Sequence, residues 1–339
     1  MKKSTVVKAI ILTSMVIILI MAIASTELYR FAHRPGVQKT TVFLVNPGDS
    51  LQTVSRQLEK LGLVSSPRKF SLIVRIRGLG NRIQAGEYEF QTGETPLGII
   101  EQLINGRVKT YQITIPEGFT MKEIGNLLAD GHCSRDGFNR LVVDREFIQK
   151  WGIKASNCEG YLFPSTYHYT RNTRCRQLLS LMLKTFSDKY QKISDEVTNP
   201  PSYSRHELVT LASIVQKEAG NEEEMPIIAA VLFNRLRKGM RLECDPTVIY
   251  GLGKRFDGNL RRKDLKDSSP YNTYRHRGLP PGPICNPGAA ALRAVNFPAQ
   301  VDYLYFVSRN DGSHQFSSTL KEHNQAVNRF QKRRGKRGK

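Results

Sequence analysis

The stretch SRHELVTLASIVQKEAG, residues 204–220, decides how the chemically interesting part of this chain folds. Ser204 and Glu207 fit the S-x-x-E capping box, in which two side chains satisfy free backbone donors at a helix start. Apolar residues then recur at the spacing of one buried helical stripe: Leu208, Leu211, Ala212, Val215 and Ala219. The pattern predicts a helix that packs along one side and stops at Gly220.

Glu218 falls in the last turn of this predicted helix, about 80° from the centre of the apolar stripe at about 100° per residue. We therefore expect its side chain to be half-buried. Apolar neighbours and the negative end of a helix both disfavour a carboxylate, so both raise its pKa toward the value that a general acid needs near neutral pH. A surface glutamate paired with a nearby Lys or Arg is the alternative.

Residues 222–240 predict a second helix directly after the first. The acidic residues Glu222, Glu223 and Glu224 cluster in its first turn, and its basic residues lie near the other end. Because this arrangement complements the helix dipole, we interpret the three glutamates as capping charges rather than catalysts.

Three segments rich in Asp, Asn, Tyr, Pro and Gly follow, and we predict that they are stiff loops: DPTVIYGLG at 245–253, SPYNTY at 269–274 and GLPPGPICNPG at 278–288. Sugar recognition needs fixed polar groups and aromatic faces for stacking. Such turns also occur for folding alone. The chain has no H-E-x-x-H zinc motif, P-loop or G-x-S-x-G motif, so the sequence does not support zinc proteolysis, P-loop nucleotide binding or serine-hydrolase chemistry.

The N-terminus predicts export and a membrane anchor. Three lysines precede an uncharged apolar run at 9–26, near the lower limit of a membrane-spanning length, and they favour a cytoplasmic N-terminus. We predict a cytoplasmic segment at 1–8, a single transmembrane anchor at 9–27 in the inner membrane, and a periplasmic location for the remainder. A cleaved signal peptide ending near Ala22-Ile23-Ala24 is the alternative.

The charge balance is strongly basic: 51 Lys+Arg against 30 Asp+Glu, a formal net charge of +21 over 339 residues. Such a surface favours polyanions, among them nucleic acid, anionic lipid and acidic wall polymers. Because export separates the chain from chromosomal material, we expect no nucleic-acid partner. The basic tail at 331–339 is expected to be disordered and solvated.

The five cysteines lack the C-x-x-C spacing of zinc ligands, so a metal site is not expected. An oxidising compartment would allow a disulfide among Cys133, Cys158 and Cys175. Free buried thiols are the alternative, and the sequence does not choose between them.

A faint internal duplication follows the anchor. Residues 43–64 and 113–133 each show a short β-type run, a Pro/Gly turn and an amphipathic helix, and each returns through a strand, at 85–90 and 159–167. We predict an α+β chain with one module at 40–108, a second module and linker at 109–200, and a catalytic domain at 201–330.

The segment VNPGDSLQTVSRQL at 45–58 resembles the opening of LysM domains, small modules that bind peptidoglycan and chitin and in which two helices pack on a two-stranded sheet. The resemblance implies a carbohydrate-binding role for the first module. A structural element that only positions the following domain is the alternative.

A longer series of motifs resembles the YceG-like (MltG) family of membrane-anchored endolytic murein lytic transglycosylases. The motifs are ASIVQKEAG (212–220), VLFNRLRKGMRLECDPTVIYGLG (231–253), YNTY (271–274), GLPPGPICNPG (278–288), YLYFV (303–307), and the H-x-F and EHN elements at 314–316 and 322–324. The resemblance spans roughly residues 40–330 and implies a LysM-like module followed by a YceG-like α+β catalytic domain. It also implies peptidoglycan glycan strands as substrate and peptidoglycan synthases as partners.

Glu218 occupies the position of the family's catalytic glutamate. The resemblance assigns substrate binding, or support of the acid, to eleven further residues: Gln216, Asn234, Asp245, Thr247, Tyr250, Tyr271, Asn272, Tyr274, Asn286, His314 and Asn324. One departure is Gln216, which stands where many members carry glutamate. It puts in doubt any mechanism that needs a second carboxylate there.

The chemistry implied by the resemblance needs one acid and no cofactor. Glu218 would protonate the oxygen between N-acetylmuramic acid and N-acetylglucosamine, and the muramic C6 hydroxyl would attack C1 to give a 1,6-anhydro end. Most hydrolytic glycosidases need two carboxylates because water or an enzyme group must be activated. Two other hypotheses remain: an inactive membrane-anchored scaffold that binds the wall, and a two-carboxylate muramidase in which Asp245 activates water.

Overall fold

The computed structural model describes residues 2–129, 131, 133–199 and 201–332. The basic tail predicted for 331–339 therefore lies outside the described residues after 332. The chain is of mixed α and β type and divides into two compact units. The first comprises Met1–Tyr111 with His168–Asn172, and the second comprises Gln112–Tyr167 with Thr173–Lys339.

Unit 1 contains four helices and two strands among its described residues. In chain order they are α1 (Lys2–His33), β1 (Thr41–Val45), α2 (Leu51–Lys60), α3 (Pro67–Ile76), β2 (Gly86–Phe90) and α4 (Pro96–Asn105). Strands β1 and β2 pair antiparallel, from Thr41 opposite Phe90 to Val45 opposite Gly86. The Ser50 side chain caps α2 by accepting from Thr53 N. The LysM resemblance implies two helices on a two-stranded sheet, whereas residues 40–108 contain three helices with these two strands, so the LysM-like module stays a prediction.

Helix α1 is longer than the predicted span. Its residues Val6–His33 form one helix of 28 residues, long and apolar enough to cross a membrane by length and composition. The apolar side chains at 10–21 are exposed, whereas Phe31 and Ala32 are buried in the core of unit 1. The helix therefore runs without a break from the candidate span into a packed domain.

Helices dominate the rest of the chain. In order the elements are β3 (Tyr111–Thr114), α5 (Met121–Ala129), α6 (Arg135–Leu141), α7 (Arg145–Gln149), β4 (Thr166–Tyr169), α8 (Cys175–Asp195), α9 (Arg205–Glu218), α10 (Met225–Arg237), α11 (Asp245–Leu252), α12 (Ala289–Asn296), β5 (Tyr305–Ser308), β6 (His314–Ser317) and α13 (Leu320–Val327). Strand β3 pairs with β4, and β5 pairs with β6. The order of strand, helices and strand in β1–β2 thus recurs in β3–β4, as the duplication predicts.

Helix α9 lies at the centre of unit 2. The predicted capping box is present: Ser204 N donates to Glu207 Oε2 at 2.7 Å and Glu207 N donates to Ser204 Oγ at 3.3 Å. Every residue from 208 to 215 is buried, because α10, α11 and α12 all pack against the helix. The helix is therefore surrounded on more sides than its single apolar stripe predicts.

One hydrophobic core extends from Ile115 to Val295 and includes residues on α5, α8, α9, α10 and α12. The chain passes from unit 1 to unit 2 after Tyr111, whereas the sequence suggested a further boundary near 200. The three-part division of residues 40–330 stays a prediction.

Three local predictions need correction. Residues 245–252 form a helix rather than a loop, because Pro246 lies in the first turn, where a missing backbone N–H costs nothing. The second predicted helix begins as α10 only at Met225, after a 3₁₀ turn at Glu222–Glu224. The strand predicted at 159–167 is confined to Thr166–Tyr169, since Gly160 adopts φ +86° and interrupts extended backbone.

The cysteines adopt both of the predicted states. Cys133 and Cys175 form a disulfide that ties the chain after α5 to the start of α8. Cys158, Cys244 and Cys285 are free and buried.

Candidate active site

Glu218 is the last residue of α9, and the chain turns away at Ala219, which has ψ 131°. Its side chain is half-buried, as predicted. Burial and, to a lesser extent, the negative charge of Asp245 raise the pKa of Glu218 to about 7, although a hydrogen bond from the Cys244 thiol acts in the opposite direction. The carboxyl can therefore carry or release a proton near neutral pH.

Helix α11 begins beside this carboxyl and supplies its two neighbours. Cys244 immediately precedes the helix and is buried, while Asp245 is the first helical residue and is exposed. The Cys244 backbone is fixed on both sides: its N donates to Thr273 Oγ1 at 3.0 Å, and its O accepts from Thr247 Oγ1 at 2.6 Å. The fully buried Thr247 thus supports the residue that contacts the acid.

Tyr274 hydrogen-bonds to Asp245, the second neighbour of Glu218. Its hydroxyl donates to Asp245 Oδ1 at 2.7 Å, and burial together with this carboxylate raises the pKa of Tyr274. Asn272, which is fully buried, shapes the turn that presents Tyr274: its Oδ1 accepts from Tyr274 N at 3.0 Å and its Nδ2 donates to Leu265 O and Asp267 O. Asn272 therefore organises the loop through protein contacts.

Gln216 joins α9 to the segment after the predicted third loop. Its Oε1 accepts from Gly288 N at 2.9 Å, and its side chain also hydrogen-bonds to the carboxyl of Glu117. That carboxyl lies so close over Gly288 that a Cβ there would collide with its oxygens. Burial raises the pKa of Glu117. A carboxyl group is thus present next to Gln216, although it comes from a different part of the chain.

Asn286 and Tyr250 meet at a buried carboxyl that the sequence did not indicate. Asn286 Nδ2 donates to Glu159 Oε1 at 3.1 Å, and the Tyr250 hydroxyl donates to Glu159 Oε2 at 3.0 Å. Tyr271 packs on Tyr250 with ring centroids 4.8 Å apart. Since Asn286 is fully buried, its hydrogen bonds are made within the protein.

The remaining predicted site residues lie in other surroundings. Buried Asn234 donates to Val301 O and Tyr303 O, and it borders a cavity of about 860 Å³ that is also lined by Tyr203, Phe233 and Phe297. His314 Nδ1 lies 2.7 Å from Glu224 Oε2. Asn324 is exposed on α13. No contact described for these three residues connects them to Glu218.

Sequence reasoning missed three side chains in this region: Glu117, Glu159 and Cys244. Cys244 could have been suspected, because it adjoins Asp245 within a motif. The other two are ordinary glutamates in sequence and gain their partners only through long-range packing. Within the described ranges, no three His, Cys, Asp or Glu side chains converge as a metal site would require.

The chain is similar in sequence and in fold to several known proteins. The profile of the YceG-like family matches residues 43–329. A Bacillus subtilis strain 168 protein named endolytic murein transglycosylase is 34% identical over 310 residues, covering 86% of this chain and 85% of the relative. Two proteins of the same name from Streptococcus pneumoniae strains R6 and D39 are 28% and 29% identical over 83% of this chain, which spans 56% of their length.

A crystal structure of a YceG-like protein from Listeria monocytogenes shares the fold, with a TM-score of 0.59 and 31% identity over 85% of this chain and 98% of the other. The family profile covers both units and includes the helix that ends at Glu218, the residues that adjoin its carboxyl and the loop that Gln216 binds. This chain belongs to the YceG-like family.

Proposed function

We propose that this chain is an endolytic peptidoglycan lytic transglycosylase in which Glu218 is the general acid and base. The observation that carries the proposal is the carboxyl at the end of α9, whose pKa is raised to about 7 by burial and by Asp245. A general acid works best when its pKa lies near the working pH. The names of the relatives, endolytic murein transglycosylase, support the activity.

In the first step Glu218 donates its proton to the oxygen between N-acetylmuramic acid and N-acetylglucosamine. The C1–O bond breaks, and positive charge develops on the muramic ring. The C6 hydroxyl of the same ring then attacks C1, and the Glu218 carboxylate takes its proton. The products are a 1,6-anhydro end and a free hydroxyl on N-acetylglucosamine, and the enzyme returns to its starting protonation state.

A raised pKa assists both steps. Asp245 disfavours a second negative charge nearby, so Glu218 keeps its proton until the leaving group accepts it. After that transfer, the same repulsion makes the new carboxylate a stronger base for the C6 hydroxyl. We assign support of Glu218 and Asp245 to Thr247, Asn272 and Tyr274 on the basis of their hydrogen bonds.

The decisive experiment incubates the full-length protein in detergent with glycan strands and weighs the products. Glu218→Gln is expected to abolish cleavage, whereas Glu223→Gln, an exposed acid in the next turn, should cleave as the wild type does. Anhydro ends are lighter than hydrolysed ends by one water molecule. Normal cleavage by Glu218→Gln would overturn the assignment.

The same assay separates the two competing functions. A two-carboxylate muramidase is the second candidate function, because the negative charge of Asp245 acts on Glu218. That enzyme would release reducing ends, and its activity would vanish in Asp245→Asn. Intact strands with every variant would indicate a scaffold that binds the wall without cleaving it.

We extend the proposal to location. Helix α1 would anchor the chain in the inner membrane with its N-terminus in the cytoplasm and the remainder in the periplasm, where it would meet nascent strands and the synthases that make them. A periplasmic reporter fused after Arg34 tests the orientation, and N-terminal sequencing of the mature protein tests cleavage. Reporter activity only in the cytoplasm would contradict this topology.

We also propose that unit 1 contains a LysM-like glycan-binding module. A cavity of about 640 Å³ opens between the start of α2 and the end of α3, and polar side chains border it: Asp49, Ser50, Gln52, Arg75 and Asn81. Such a mixture of charged, amide and hydroxyl groups suits an amino sugar. Asn81→Ala in the Glu218→Gln background should weaken binding to insoluble peptidoglycan, whereas Arg56→Ala on exposed α2 surface should not. Equal binding by both would favour a structural spacer.

A further inference from the structure

Glu159 is an acidic side chain in an unusual setting. It lies in the irregular segment before β4 and is only 3% exposed. Because the surroundings solvate its charge poorly, burial raises the pKa of Glu159 to about 7. The salt bridges among the described residues include none to Glu159. Burying an acid without a cation is costly, so its contacts must compensate.

Its partners come from three separate stretches of chain. Glu159 Oε1 accepts from Met121 N at 2.8 Å and from Asn286 Nδ2 at 3.1 Å, and Oε2 accepts from the Tyr250 hydroxyl at 3.0 Å. Met121 begins α5, Tyr250 lies on α11, and Asn286 lies in the loop before α12. One carboxyl therefore joins three elements that are far apart in sequence.

The first series of contacts from Glu159 to Glu218 runs through Asn286. Asn286 Oδ1 accepts from Leu162 N at 2.8 Å. The Asn286 backbone pairs with the 118–119 segment through Gly118 N–Asn286 O at 3.0 Å and Asn286 N–Phe119 O at 2.8 Å. Two residues later, Gly288 N binds Gln216, which is two residues before Glu218 on α9. The position of this loop therefore sets the contacts around the last turn of α9.

The second series of contacts runs through α11. Tyr250 is one and a half turns from the start of that helix, where Cys244 and Asp245 adjoin Glu218. The hydrogen bond from the Tyr250 hydroxyl to Glu159 restrains both the rotation of α11 about its axis and its position along that axis. Both neighbours that tune the acid thus depend on where α11 rests.

We propose that Glu159 is a positioning residue: through Met121, Tyr250 and Asn286 it holds α11 and the 284–288 loop in the register that aligns Glu218 with its neighbours. The inference deepens the proposed function, because it concerns the same site. Glu159 itself does not touch the substrate.

The test compares two replacements of Glu159. Glu159→Met removes the acceptor of Met121 N and of the Tyr250 hydroxyl and leaves Asn286 Nδ2 with Phe119 O as its acceptor. Its kcat should fall on the order of 10- to 100-fold with little change in KM, the usual result of small misplacement at an active site. Glu159→Gln can still accept from Met121 and Asn286 and should recover most of the loss. Glu146→Gln, an exposed acid on α7, is the matched control and should behave as the wild type.

A purely stabilising role predicts another pattern. Glu159→Met would then melt at lower temperature while its kcat, measured well below melting, stayed normal, and this outcome overturns the proposal. If Glu159→Met does not fold, Tyr250→Phe removes one bond to the carboxyl and should lower kcat several-fold; an unchanged kcat in that variant counts equally against it.

Hydrogen exchange separates failure of this inference from failure of the proposed function. Amides in segments 117–121 and 284–288 should exchange faster in Tyr250→Phe and Glu159→Met than in the wild type, whether or not the protein cleaves glycan. Absence of cleavage by the wild type would overturn the proposed function alone. Unchanged protection in both variants would overturn the positioning role alone.

Discussion

A single carboxyl, that of Glu218, links function and stability at the residue scale. Its pKa of about 7 lies well above the usual 4.5, because burial and Asp245 disfavour the charged form. The folded state therefore holds this proton more tightly than the unfolded state does. Ionisation of Glu218 destabilises the fold between these two pH values, and the loss is complete above about 7.

Glu218→Gln should consequently stabilise the protein in a pH-dependent way. The neutral side chain removes the penalty, so the gain should be absent near pH 4.5 and should reach up to about 3 kcal/mol at pH 8. Denaturant unfolding at several pH values measures it. Glu223→Gln, an exposed replacement, should show no such trend. A gain that does not vary with pH would contradict the pKa attributed to Glu218.

The charge of Asp245 should be visible in the pH dependence of activity. Asp245→Asn removes a negative charge next to Glu218, so the pKa of the acid should fall and the alkaline limb of kcat/KM should shift to lower pH. The pKa of Glu218 should not fall to the ordinary glutamate range, because burial, the larger cause of the raised pKa, remains. Tyr274→Phe removes the hydrogen bond but keeps the charge and should move the limb less. An unshifted limb in Asp245→Asn would refute the electrostatic role.

At the scale of elements, the disulfide joins the end of the α5 region to α8. Cys133 and Cys175 are 42 residues apart. Closing a loop of that length lowers the entropy of the unfolded chain, which stabilises the folded state by about 4 kcal/mol at room temperature. We expect the double Cys→Ser variant to lose a comparable amount of unfolding free energy. A reductant should destabilise the wild type and leave the variant unaffected. Equal sensitivity of both proteins would show that the bond is not the cause.

The same elements show what the sequence can predict. The start of α9 was predictable because the Ser204–Glu207 capping box is local chemistry, and the position of Glu218 followed from helical geometry. Helix α11 was missed because the Asp-Pro pair suggests a turn, although proline also suits the first turn of a helix.

The contacts of Glu159 show where such prediction ends. Its three partners lie on segments separated by long stretches of chain, and no periodicity marks a glutamate that will be buried. Likewise, Gln216 suggested a missing carboxylate, while the Glu117 carboxyl beside it becomes apparent only after folding. Local patterns predicted the helix that carries the acid, whereas packing determines what surrounds it.

At the scale of the whole molecule, all of the quoted YceG-like motifs lie in unit 2. The segments that contain Glu117, Glu159 and the disulfide share one core with α9. Residues of the predicted second module thus pack in the same core as α9, and the 116–121 turn and Glu159 make the hydrogen bonds described above.

The unbroken helix α1 would couple the orientation of unit 1 to that of the membrane anchor. Its 32 residues span about 48 Å, of which a bilayer core would take about 30 Å, and Phe31 and Ala32 near its end are buried in the core of unit 1 without an intervening break in the helix. Unit 1 would therefore tilt together with α1 when the helix tilts in the bilayer. Since thinner bilayers increase the tilt of long apolar helices, lipid thickness would set how unit 1 leans over the membrane surface, and oriented spin labels on α2 in thin and thick bilayers would record the change.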